Sequence, residues 1–101
     1  RVGQIIKHFK RENVTDEGSR KYLYVYYGKC RNTETGELVV AYLPLYETDC
    51  IKGVNFVIRP FDMFYSEVDH DKYPDIKQKY RFEELTQEEL HTFMNFTDTE
   101  V

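Results

Sequence analysis

Val54–Val68 reads V-N-F-V-I-R-P-F-D-M-F-Y-S-E-V. Val54, Phe56 and Ile58 recur at every second position, the period of an extended strand with one buried face. Pro60 then ends the ladder, because it has no amide hydrogen to donate and its ring pushes Arg59 into the β region. The chain should turn through Phe61-Asp62-Met63-Phe64 and resume as a second extended run over Phe64–Val68. A tight corner between short strands is how a small β-barrel folds over itself. The stretch therefore points to an architecture. It carries no nucleophile, metal cluster or phosphate loop.

Outward from that corner, Gly3–Phe9 reads as a first strand and Lys10–Arg20 as a loop whose length suggests mobility or function. Lys21–Arg31 is the clearest strand, with Leu23, Val25 and Tyr27 on one face and Tyr22, Tyr24 and Tyr26 on the other. Asn32-Thr33-Glu34-Thr35-Gly36 is a hairpin connection, with Gly36 at a position that needs positive φ. Glu37–Tyr42 returns as a strand, Leu43–Gly53 is a wider connection, and Asn55–Arg59 is the strand that leads into Pro60. His70–Gln78 reads as a polar surface excursion. At the end the period changes. Thr86-Gln87-Glu88-Glu89 has capping-box spacing, Leu85 and Leu90 have staple spacing, and Leu90, Phe93 and Met94 share a face, so Thr86–Phe96 should be a short amphipathic helix. The expected object is a mainly β single domain over 1–101. Residues 3–68 would form an antiparallel barrel core of about five strands, 69–85 a polar connection and 86–96 the helix. Its core should include Ile5 or Ile6, Phe9, Val25, Val40, Phe56, Ile58, Met63, Phe64 and Leu90.

A chain of 101 residues buries roughly 60–65% of its unfolded surface, enough for one core and not for a deep cleft between lobes. Nine Tyr and seven Phe with no Trp favour strands and also supply amphipathic contact area. The formal net charge of −4 disfavours a whole-surface attraction to nucleic acid or acidic lipid, while leaving room for a local basic face. Cys30 and Cys50 fit neither a C-x-x-C motif nor a disulfide framework and read as reduced thiols of a cytoplasmic protein. No apolar run is long enough to span a membrane and no leader pattern is present.

Chemistry-bearing residues are few. His8 sits with Lys7, Lys10 and Arg11 in a basic cluster that could take an anion or a phosphate, or that simply guards a strand edge. Asp69-His70-Asp71 lacks the third, distant ligand that a metal would need, so no metal or cofactor is expected. Arg59 could anchor a carboxylate or phosphate, or brace the corner through backbone carbonyls. Tyr22, Tyr24 and Tyr26, beside Lys21, Lys29 and Arg31, could stack on bases or lie beneath the C-terminal helix. No His has an evident Ser or Cys partner at a strand-to-helix elbow, so no catalytic set emerges. The expected binding surface is His8, Lys10, Tyr42, Tyr46 and Arg59.

The order K-H-F-K at Lys7–Lys10, T-E-T-G-E-L-V-V-A-Y at Thr33–Tyr42, L-Y at Leu45-Tyr46, and the Arg-Pro-x-x-Met-Phe run within Ile58–Phe64 resembles the bacterial and phage DUF1653 family. The resemblance runs from about Gly3 to Val68. Phe56 stands near the position where the family usually carries Trp, Arg11–Arg20 reads as an insertion, and Leu43-Pro44 replaces a more polar pair. The resemblance implies an SH3-like small barrel and no established activity. The function expected is therefore a non-enzymatic module that binds a peptide, a protein or a small anionic ligand. A single-stranded nucleic-acid binder, disfavoured by net charge, is the alternative, and a small enzyme using His8 a second one.

Overall fold

Five segments, the two longest rich in tyrosine and valine, pair as antiparallel strands: β1 (Ile5–His8), β2 (Leu23–Arg31), β3 (Leu38–Pro44), β4 (Val57–Pro60) and β5 (Phe82–Glu84). Their order across the sheet is β4-β3-β2-β1-β5. Helical pieces are a 3-10 turn at Phe9–Asn13, a single turn α1 (Phe61–Phe64) and the C-terminal α2 (Gln87–Asp98). The structure, a computed structural model, describes residues 1–48, 52–53 and 55–98. Expectations for Asp49, Cys50 and Val54 lie outside those residues.

Local chemistry explains most of these elements. The β2–β3 turn is closed by the Asn32 side chain, whose Oδ1 accepts the amides of Glu34 and Thr35, and Gly36 takes φ +77°. One residue of β2 is extra to the ladder: Tyr26 faces Tyr42 and Gly28 faces Ala41, leaving Tyr27 in a bulge. Gly28 supplies φ +114° there, a conformation that side chains resist. Thr86 and Glu89 exchange both bonds of a capping box, Thr86 N–H to Glu89 Oε1 at 3.0 Å and Glu89 N–H to Thr86 Oγ1 at 3.1 Å. Lys7 on β1 reaches Glu89 at 2.8 Å and ties the sheet to α2.

Between the two edge strands β4 and β5 no ladder forms, so the sheet stays open and the expected barrel closure does not occur. Side chains span the gap instead. The Phe82 ring lies 4.4 Å from Phe64 and 5.3 Å from Tyr42, and Ile6, Tyr24 and Val40 complete this cluster. The reason lies just past Pro60. The Phe61 carbonyl accepts the Tyr65 amide at 3.1 Å, so residues 61–64 coil into α1 rather than re-extending. The expected strand at Phe64–Val68 is reduced to a lone bridge between Glu67 and Tyr80, and the fifth strand is Phe82–Glu84, paired with β1.

Register also corrects the expected core. Tyr42 faces Val57 and Val40 faces Arg59 across the β3–β4 ladder, and cross-strand partners share a face. Tyr42 and Val40 point inward, so Val57 and Arg59 do as well. Phe56, Ile58 and Met63, expected inside, are 57%, 62% and 46% exposed, and Phe56 meets the Tyr27 ring edge-on. Ile6, Phe9, Val40 and Phe64 are buried as expected, while Val25 and Leu90 are half-buried. Of the tyrosine row, Tyr24 and Tyr26 face the inner cluster under Phe82 and Phe64, not α2. Tyr24 is therefore unavailable for stacking on a base. Tyr22 precedes β2 at φ +65° and its ring stacks on His8.

Candidate functional site: a cationic cleft beside His8

Strand alternation separates the basic cluster of the N-terminal segment. Lys7 turns toward α2, whereas His8, the last residue of β1, turns to the opposite face. Arg11 is spent on the carbonyls of Ser19 and Lys21, at 2.6 and 2.9 Å. That leaves His8 and Lys10, and the fold adds groups from three other places. Arg59 arrives from β4, Arg81 from the residue before β5, and Asp69, Lys72 and Tyr73 from the turn after Val68. With Phe9 these residues line a cleft of about 370 Å³.

The His8 ring is packed into place. It lies 4.3 Å from Phe9, 5.7 Å from Tyr22 and 5.2 Å from Phe82, and it is 8% exposed. Its Nδ1 accepts the Lys10 amide at 3.1 Å, capping the 3-10 turn. An accepting Nδ1 requires that the neutral ring carry its proton on Nε2, as a donor. Burial first, then the charges of Arg59, Arg81 and Lys10, hold its pKa down to about 4. His8 is thus neutral at pH 7.

The two arginines are held by neutral groups. Arg59 donates from Nε to the Tyr42 hydroxyl at 3.1 Å, and its guanidinium sits 5.7 Å from the Phe82 ring centroid. Arg81 donates from Nε to Ser66 Oγ at 3.2 Å and lies 6.0 Å from the Phe9 centroid. Aromatic faces support a cation without discharging it. Among the described residues neither guanidinium pairs with a carboxylate; Lys7–Glu89 and Lys79–Glu67 form elsewhere. The one acid among the described residues of the lining, Asp69, is engaged by its own turn, with Oδ1 accepting the amides of Asp71 and Lys72 at 3.1 and 3.3 Å.

Of the five residues expected to form a surface, His8, Lys10 and Arg59 line this cleft. Tyr42 does not. Its ring is 4% exposed, and it acts from below through Arg59. Tyr46 belongs to the adjacent aromatic layer, its hydroxyl 2.6 Å from that of Tyr24 and its ring 5.8 Å from Tyr22. Burial raises the pKa of both hydroxyls; the shared bond adds to the rise at Tyr24 and opposes it at Tyr46. Sequence reasoning missed Arg81 and Lys72. The available signal was a cation between two aromatics in Tyr80-Arg81-Phe82, too short a run to read as a strand. His70 is turned aside, its Nε2 3.1 Å from the Gln78 carbonyl, and no three His, Cys, Asp or Glu among the described residues come together as metal ligands.

A second hollow of similar size, about 360 Å³, separates the 3-10 turn from α2. Its principal charges are already matched, Lys7 by Glu89 and Arg11 by backbone carbonyls. In the cleft at His8, by contrast, Arg59 and Arg81 have no carboxylate match among the described residues. Among the described residues no helix is long and apolar enough to cross a membrane. Residues 4–84 match a family described as "Protein of unknown function (DUF1653)". No curated protein and no solved structure matches the chain.

Proposed function

The chain belongs to the DUF1653 family of proteins of unknown function, and from its own geometry we propose that it is a binding module whose His8 cleft takes a small anionic ligand. One observation carries this reading: Arg59 and Arg81 line one cleft, and neither has a carboxylate partner among the described residues. Like charges held together cost stability unless something of opposite sign is received between them. Guanidinium is also the group best shaped for carboxylate or phosphate. The volume of about 370 Å³ lies at the small end of ligand sites, which suits a metabolite-sized anion or a terminal group better than an extended chain. Neutral His8 contributes a hydrogen-bond donor on Nε2.

Amide and side-chain NMR titration with citrate, and separately with inorganic phosphate, tests the reading. Binding should move the resonances of His8, Lys10, Arg59 and Arg81 while those of the Lys7–Glu89 side stay still. If neither anion shifts the cleft resonances at low ionic strength, the module does not bind anions there.

A further inference from the structure

Resting on that reading, the geometry points to a phosphate monoester as the anion this cleft is built to receive. The donors do not lie on one element. Arg59 comes from β4, Arg81 from the approach to β5, Lys10 and His8 from the end of β1 and its 3-10 turn, and Lys72 from the 69–73 turn. A carboxylate presents two oxygens and one charge, and a single bidentate arginine satisfies it. A phosphate monoester presents three terminal oxygens and a charge of about −1.5 to −2 at neutral pH. Four cations opposed by Asp69 alone leave a surplus that one carboxylate would not neutralise.

The individual partners agree with this. Each arginine spends its Nε inside the protein, on Tyr42 or Ser66, leaving terminal nitrogens for a ligand. Among the described residues Arg59 Nη1 meets the Met63 sulfur, 3.5 Å away, a weak acceptor that an oxyanion would displace. His8 cannot accept from a ligand at Nδ1, which is occupied by the Lys10 amide, so it meets the ligand as a donor. The groups facing the His8 ring are Arg59 on β4, Arg81 before β5, and Lys10 and Asp69 at the cleft rim. All but Asp69 favour an incoming dianion.

The test uses the full chain at pH 7.5 and low salt, with phenyl phosphate, methyl phenyl phosphate and benzoate titrated by calorimetry. These share the ring and differ in charge and oxygen count. Phenyl phosphate should bind at least tenfold more tightly than the diester or benzoate. Arg81→Gln should weaken it tenfold or more, and Lys72→Ala, at an exposed position outside the core, should weaken it severalfold with the melting temperature unchanged. Equal affinities for the three ligands would overturn the phosphoryl assignment while leaving anion binding in place; absence of all binding would remove both. Inorganic phosphate and vesicles carrying phosphatidic acid separate the source. Binding to the free ion identifies a soluble phosphate compound, and sedimentation with the vesicles alone identifies a lipid headgroup. Either keeps the chemistry.

Discussion

The Tyr42 hydroxyl accepts the Nε–H of Arg59 at 3.1 Å, so a fully packed core ring sets the direction of a cleft cation. The two lie on neighbouring strands, Tyr42 opposite Val57 and Arg59 opposite Val40. Tyr42→Phe keeps the ring and removes the acceptor. We expect a stability loss of about 1 kcal/mol and a severalfold loss of anion affinity, since Arg59 would then swing free. Unchanged affinity in this variant would mean that Arg59 orients itself.

The faces of β4 predict an asymmetry between two phenylalanines. Phe64, 3% exposed and stacked on Phe82, should cost about 3–5 kcal/mol when replaced by Ala. Phe56, 57% exposed, should cost below about 1 kcal/mol. Urea unfolding of the two variants decides it, and comparable losses would contradict the strand register.

His8 makes stability depend on pH with a definite sign. Its pKa of about 4 in the fold lies below its ordinary 6.5, so between those values the unfolded chain binds more protons. The stability is fully present above pH 6.5, declines as pH falls toward 4, and levels off below that for this group, with a span of up to about 3 kcal/mol. Urea midpoints at pH 7 and pH 5 should differ, and His8→Gln should flatten the difference. Glu89, whose bonds from Lys7 and Thr86 outweigh burial and keep its pKa below the usual glutamate value, adds a separate loss in stronger acid.

Thr86→Ala removes one half of the capping box and should cost about 1 kcal/mol. Far-UV circular dichroism should show α2 fraying ahead of the sheet. If helix and sheet melt together with no shift in midpoint, the cap contributes nothing.

How far the sequence could be read depended on the length of each pattern. β2 and β3, the Asn32–Gly36 turn and the capping box at Thr86 were legible because each is a long alternation or a fixed local spacing. β5 was not, since three residues carry too little period to distinguish them from a loop. The more instructive failure is at β4. Hydrophobic alternation assigns Phe56 and Ile58 to the interior, and the register assigns Val57 and Arg59 there instead. A charged residue turned inward breaks the two-residue rule, and local rules give way most often at functional sites. His8, Lys10 and Arg59 were identifiable as cations or titrating groups beside aromatics. Their convergence with Arg81 and Lys72 depends on β1–β5 pairing, which sequence spacing does not encode.

The bulge at Tyr27 divides the β2–β3 hairpin into two thermodynamic zones. On the cleft side, Tyr24 and Tyr26 are backed by rings, and the backbone there pairs with the N-terminal segment on one side and β3 on the other. Past Gly28 the phase of the strand is reset, so Lys29 and Arg31 occupy the places that continued alternation would give to core residues, and the tip from Lys29 to Glu37 stands in solvent. Hydrogen exchange should therefore break sharply at Gly28. Amides from Leu23 to Tyr26 should exchange only through global unfolding, while those beyond exchange through local opening at far lower free energy. The tip can fray, and be lengthened or shortened by whole two-residue steps, without the cleft registering the change.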